Sequence, residues 1–310
     1  MIVALAGGVG GAKLARGLAQ TAGADLSVIV NTGDDFEHLG LHICPDLDTT
    51  LYTLAGLANA ELGWGRRDET WTFMQTLEAL GGETWFRLGD ADLALHVERT
   101  QRLKGGASLS AIAADLARRL GIEAAIVPVS DDPIRTRIAT HDGELAFQDY
   151  FVRHRCAPRV QGITYQGAAA ARLAPPALAA LQSAALEAII ICPSNPYLSL
   201  DPLLAVPQLL PAVRAARVPV IAVTPLIGGE AVKGPTAKIM RELGIAPTPR
   251  AIAQHYASWI DSFVLDRADA AQAAAFEIPV HVTDTLMKSV GDRERLAREV
   301  LAFAATLPRA

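Results

Sequence analysis

Two runs near the start of this chain carry residue types suited to holding a phosphate and a cation. In AGGVGGAKL, Gly8, Gly10 and Gly11 precede Lys13. Glycine backbone can approach an anion closely, a helix N-terminus offers partial positive charge, and a lysine adds a full one. Asp34 and Asp35 follow in VNTGDD, then Asp46 and Asp48 in ICPDLD. Four carboxylates brought to one edge repel one another, and a divalent cation or a substrate hydroxyl relieves that repulsion. Oxygen ligands without a neighbouring His or Cys cluster favour Mg²⁺ over zinc. Asp34, Asp35, Asp46 and Asp48 are therefore the candidate metal ligands. A helix N-cap at Asp48 or Thr49, ahead of a helix from Leu51, accounts for part of the same pattern. Both readings stand at this level.

Further clusters lie downstream. WFRLGDADLALH contains Trp85, Arg87 and His96, with Arg99 and Arg102 beyond. Arginine and histidine spaced along a helix can clasp phosphates or a polar ring edge, although a solvated helix face is the commoner origin of such charges. PVSDDP, CPSNP with Ser194 and Asn195, and TPLIGG with Gly228 and Gly229 each follow an apolar run. Ser-Asn offers hydroxyl and amide groups that read a base or ribose, or simply an Asx-type turn. Neither named phosphate loop is satisfied. Lys13 stands where a dinucleotide fingerprint wants its third glycine. Ala12 and Leu14 stand where a Walker A loop wants glycine and a hydroxyl. The seven histidines are scattered, and no Ser-His-Asp or Cys-His spacing points to covalent catalysis.

Elements must bring these clusters together. Short Val- and Ile-rich runs predict buried strands at 2–6, 26–30, 124–129, 188–192 and 218–223, with 262–265 and 280–282 as weaker candidates. Helical spacing predicts helices at 12–21, 108–120, 175–186 and 203–216. The alternation implies an α/β, Rossmann-like, doubly wound and mainly parallel sheet. Partial alternation after Asp142 predicts a hairpin or edge strand over 144–152. Residues 51–106 show no buried strand and hold three of the four tryptophans. They are expected to form a mostly helical insertion over the site, leaving 1–50 and 107–310 as the core. The strand ends then converge on one composite pocket.

Composition narrows the class. The chain has 310 residues, is 51% hydrophobic and carries a formal charge of −5. That balance argues against a broad nucleic-acid or membrane surface. No uncharged apolar stretch is long enough to span a bilayer, and Met1 leads straight into a strand without a signal-like segment. Three dispersed cysteines fit a reducing cytoplasm rather than a disulfide framework.

Taken in order, the motifs AGGVGGAKL, VNTGDD, ICPDLDTTLYTLAG, GWGRRDETW, FRLGDADLALH, LKGGASLS, PVSDDPIRT, FQDYFVR, CPSNPYLSL, TPLIGGEAVKGPTAK and VTDTLM resemble the 2-phospho-L-lactate transferase family of coenzyme F-420 biosynthesis. The resemblance covers nearly the whole chain. It implies a donor that is the guanosine diphosphate ester of a small phosphorylated acid. The acceptor it implies is Fo, a deazaflavin bearing a ribityl chain. The ribityl hydroxyl attacks the phosphorus that carries the acid, and GMP leaves. The resemblance assigns Fo contacts to Asp48 and Arg87. It places guanosine near Ser194 and Asn195, and it implies a homodimer. With the bottom-up reading it makes Asp46 and Asp48 the catalytic candidates, and Trp85 and His96 part of the Fo site. Gly8, Gly10, Gly11, Lys13, Gly228 and Gly229 are the candidate phosphate and nucleotide contacts. Val9 and Lys233 depart from a common family pattern, and the donor's acid, whether phospholactate, phosphoenolpyruvate or 3-phosphoglycerate, stays open.

Two rivals belong to other classes. In a nicotinamide-dependent oxidoreductase, Asp34 or Asp35 would hold ribose hydroxyls. A nucleotide-binding regulator of the same superfamily would have no need of the PDLD and FRLGD segments.

Overall fold

The computed structural model describes residues 1–59 and 64–309. Within 51–106, residues 60–63, including Gly63 of GWGRRDETW, lie outside the described residues. β1 (Ile2–Ala6) and β2 (Leu26–Val30) are buried along their whole length and flank α1 (Gly8–Ala22). β3 (Phe36–His38) and β4 (Leu41–Ile43) form a tight hairpin. Its turn residues Leu39 and Gly40 take φ of 52° and 72°, as a type I′ turn requires. α2 (Pro45–Leu54), α3 (Thr72–Ala79), α4 (Asp90–Lys104) and α5 (Leu109–Arg119) follow. α2 thus crosses the expected 50/51 boundary, so the catalytic candidates and the insertion share a helix.

β5 (Ala125–Pro128) returns to the main sheet. β6 (Arg135–Thr140), β7 (Gly143–Ala146) and β8 (Val160–Gln166) form a separate antiparallel sheet in the order β7-β6-β8. The hairpin expected after Asp142 is there, but its second strand stops at Ala146. Asp149–Arg153 is a π-helical turn; the alternation breaks before it, at Ala146-Phe147 and Gln148-Asp149. The chain continues through α6 (Pro175–Leu181), β9 (Ala188–Ile191), α7 (Asp201–Leu204), α8 (Leu209–Ala215) and β10 (Val220–Val223). The helix expected over 203–216 is therefore two, separated at Pro207, which cannot donate to a continuing helix. A small hairpin of β11 (Leu226–Ile227) and β12 (Glu230–Ala231) precedes α9 (Thr236–Glu242) and α10 (Pro249–Tyr256). β13 (Ser262–Asp266), β14 (Val280–Thr283) and α11 (Val290–Ala304) complete the order.

Among the described residues the main sheet has seven strands in the order β14-β13-β10-β9-β1-β2-β5. Every neighbouring pair is parallel. Alternate residues of β1 feed opposite cores. Val3 and Leu5 pack with Leu181, Leu209 and Ile252. Ile2, Ala4 and Ala6 pack with Leu14, Leu47 and Val300. Helices thus cover both faces, which is the doubly wound α/β arrangement. Strand order reverses between β1 and β9, the position where open α/β sheets leave a ligand crevice. No helix among the described residues is long and apolar enough to cross a membrane. Cys44, Cys156 and Cys192 are free thiols.

Candidate active site

A cleft of about 560 Å³ opens at that reversal. Its first wall is the start of α1. The helix begins at Gly8, four residues earlier than apolar spacing suggests, so the glycines form its first turn. Gly8 takes a φ of 63°, and Gly10 and Gly11 are there because of crowding. A Cβ at Gly10 would stand 2.3 Å from the Pro193 carbonyl oxygen, and one at Gly11 2.6 Å from Ser194 Oγ. Ser194 Oγ donates to Gly7 O at 2.7 Å, cross-tying the ends of β1 and β9. Asn195 Oδ1 accepts from the amides of Tyr197 and Leu198. Its Nδ2 is buried with no hydrogen-bond partner, a donor left over in a residue that lines the cleft. Lys13 donates to Met287 O at 3.1 Å. Burial lowers its pKa, with further lowering from the Arg293 and Lys233 charges. Positive charge gathered beside a helix N-terminus suits a diphosphate.

The acids divide into three environments. Asp34 and Asp46 line the cleft and are nearly fully buried. Asp46 Oδ2 accepts from Asn31 Nδ2 at 2.9 Å. Burial pushes Asp46 up to about 6, against the hydrogen bonds from Asn31 and the Gly8 amide. Burial and then the Asp46 charge push Asp34 well above the carboxylate range. Asp34 Oδ1 is buried without a partner, and among the described residues no salt bridge reaches either acid.

Asp35 sits behind them and does not line the cleft. It accepts from Cys44 Sγ at 3.1 Å and lies 3.5 Å from His42 Nε2. These three could in principle surround an ion, but the buried thiol, its pKa raised first by burial, is already a donor to the carboxylate.

Asp48 faces the cleft from the first turn of α2, whose N-cap is Cys44. Neither Asp48 nor Thr49 is a cap, so the capping alternative falls. Instead Asp48 pairs with Arg99, which is fully buried. Arg99 Nη1 donates to Asp48 Oδ2 at 3.1 Å and to His42 O at 3.3 Å, while Nη2 meets Asp48 Oδ1. His96 Nδ1 lies 3.6 Å from Asp48 Oδ2, and Nε2 3.2 Å from Asp92 Oδ2. Tyr52 donates to Asp92 Oδ1 at 2.6 Å. Burial raises the Asp48 pKa, and the Arg99 and His96 charges oppose it.

The far wall is aromatic. Trp64, Trp85, Phe86 and Phe151 line it beside Arg87. The Arg87 guanidinium lies 4.2 Å from the Trp71 ring centroid, a cation–π contact. Trp71 packs against a satellite core of Ile43, Met74 and Leu88.

The cleft thus gathers Gly8, Gly10, Lys13, Asp34, Asp46, Asp48, Trp85, Arg87, His96, Ser194 and Asn195. Gly11 lies behind the wall. Gly228 and Gly229 turn the β11–β12 hairpin, and the following segment, Val232 to Thr236, lines the cleft in their place. The PVSDDP cluster stays outside. Asp131 accepts from Ser110 N and Oγ at 2.7 and 2.9 Å, holding the start of α5. Tyr52, Asp92 and the burial of Arg99 escaped the sequence reading. The available signal was spacing: Asp48 and Tyr52 are four apart, and Asp92, His96 and Arg99 fall on one helical face.

A family model of 2-phospho-L-lactate transferase CofD matches residues 2–299. A phosphoenolpyruvate transferase of Streptomyces griseus is 42% identical over 98% of this chain and 98% of its own. A 2-phospho-L-lactate transferase of Methanopyrus kandleri is 40% identical over 99% of this chain and 98% of its own. A crystal structure of a UPF0052 family member from Bacillus halodurans superposes with a TM-score of 0.63 at 14% identity, covering 97% of this chain and 98% of that one, which is a likeness of fold. With a cleft that joins a phosphate wall to an acidic edge, and with relatives matched from end to end, this chain belongs to the 2-phospho-L-lactate transferase CofD family and is a transferase.

Proposed function

We propose that the chain moves a phosphoenolpyruvyl or phospholactyl group from its guanosine diphosphate ester to the terminal ribityl hydroxyl of Fo in coenzyme F-420 biosynthesis. The new bond joins that hydroxyl oxygen to the phosphorus carrying the acid. The bridging P–O bond breaks, GMP leaves with the bridging oxygen, and the hydroxyl proton passes to Asp48 or to water. The observation that carries this reading is one cleft with two unlike walls. The α1 start, Lys13 and Asn195 suit a nucleotide diphosphate, whereas Trp64, Trp85 and Phe86 suit a flat ring.

Transfer of this kind depends on positioning and charge neutralisation rather than a covalent nucleophile. Two of the roughly four lone-pair positions of Asp48 are taken by Arg99, leaving acceptor capacity for a substrate hydroxyl. Arg87 stands beside the ring-binding wall. The carboxylates of Asp34 and Asp46 fit Mg²⁺, being hard oxygen donors that repel each other with one buried oxygen unpartnered. Bound there, Mg²⁺ would neutralise diphosphate charge. The Asp48 oxygens, held by a guanidinium, are poor additional ligands.

The test supplies Fo, Mg²⁺ and the guanylylated forms of phosphoenolpyruvate and phospholactate separately, and follows GMP release. Turnover with at least one donor is expected. Absence of GMP with both, in folded protein, overturns the reading.

A further inference from the structure

The face that α4 turns toward α2 is unusually ionic for a buried contact. Asp92, His96 and Arg99 recur on it at helical spacing, opposite Asp48 and Tyr52 of α2. Arg99 has no exposed surface and does not line the cleft. It cannot touch substrate. Its fork nevertheless engages both oxygens of the acid that does face the cleft, and also the carbonyl of His42 in β4. A planar guanidinium that holds a carboxylate by two bonds fixes its torsion as well as its charge. If the pair served packing alone, a well-packed apolar substitute would serve as well.

We infer that Arg99 is a positioning residue for the transfer step: by clamping both oxygens of Asp48 it sets the carboxylate that meets the acceptor hydroxyl, and it makes that alignment depend on α4 being docked against α2. The inference rests on the proposed reaction, in which Asp48 contacts Fo. The Asp92–His96 and Asp92–Tyr52 contacts extend the same clamp along the helix pair, steadying the His96 ring beside Asp48.

Arg99→Met and Arg99→Lys are compared with wild type for kcat and for the donor KM, together with Asp48→Asn and Asp48→Asn/Arg99→Met. Misalignment of a reacting group is worth about 100-fold in rate, so Arg99→Met should lose about that factor in kcat. The donor KM should stay within about twofold, because the nucleotide wall is built on other elements. Arg99→Lys, which restores the charge but not the fork, should recover roughly tenfold of the loss. In the Asp48→Asn background, removing Arg99 should lower kcat no further, since groups acting as one unit are not additive. Unchanged kcat in either Arg99 variant, or full multiplicative loss in the double variant, overturns the inference. Should Arg99→Met fail to fold, Arg99→Lys alone decides, by loss of kcat at constant donor KM. Wild-type protein that releases no GMP sinks the assigned reaction and this inference with it. A working wild type with an unaffected Arg99→Lys sinks only the inference.

Discussion

Asp46 and Asp48 are two residues apart on one helix, and both are 5% exposed. Their surroundings are opposite. Asp46, on the sheet side of the cleft, is met by an amide side chain and a backbone N–H, and its nearest charged neighbours are other acids. Asp48, on the insertion side, is met by a buried guanidinium and a histidine. One edge of the cleft holds negative charge that the fold leaves unbalanced, and the other holds negative charge already balanced. Equal burial therefore hides unequal readiness: the first region can accept a cation, and the second can hold an acceptor hydroxyl while staying put.

Substitution breaks this comparison most forcefully. Asp48→Asn should reduce kcat about a thousandfold, as loss of a group that orients or accepts a proton does. It should also lower stability by about 3 kcal/mol, because Arg99 is left buried without its counter-charge. Asp46→Asn should impair turnover too, but at pH 7 its melting temperature should equal or exceed that of wild type. Equal destabilisation by both, in calorimetry, would erase the distinction. Metal titration gives the next effect. Mg²⁺ should raise the melting temperature of wild type and of Asp48→Asn, but not of Asp34→Asn or Asp46→Asn. A gain surviving in the last two would move the ion elsewhere.

Acidification sharpens the same contrast. Burial lifts Asp46 from near 3.8 to about 6. A raised carboxyl contributes stability that is fully present below its unfolded pKa and is lost as pH rises through the folded one. The metal-free wild type should therefore gain stability relative to Asp46→Asn as pH falls from 7 to 5. The gain should shrink when Mg²⁺ is present. A flat difference across that window would show that Asp46 does not titrate there. Arg87→Ala should have the smallest effect. Loss of a cation–π contact of about 1 kcal/mol and of a ring-edge charge should raise the KM for Fo several-fold, with the donor KM unchanged.

How legible all this was in the sequence follows from the physics of each element. Strands buried on both faces, such as IVALA and LSVIV, announce themselves as continuous apolar runs, and their observed bounds are the expected ones. β6 is half-exposed, and its residues RTRIAT carry arginines on the open side, so no apolar run marks it. Glycines at the start of α1 read as a turn because helix propensity argues against them. Only the three-dimensional contact with Pro193 explains why they begin a helix. Arg99 illustrates the hardest case. A charged residue on a polar helix is ordinarily solvated, and its burial depends on an acid 51 positions away in the chain. Local pattern contains no trace of such a partner until two helices are docked.

The clash that a Cβ at Gly10 would make with the Pro193 carbonyl has a practical corollary for anyone retargeting this enzyme. Together with Gly7, where the same atom would meet Ser199 Cβ at 2.6 Å, it leaves the phosphate wall almost no tolerance for added atoms. A mutant library spread evenly around the cleft would waste its diversity there. The places with room are the 232–236 segment, where Val232 is 58% exposed, and the tryptophan-bearing rim around Trp64. New substrates should be sought by redrawing those margins and leaving the glycine floor untouched.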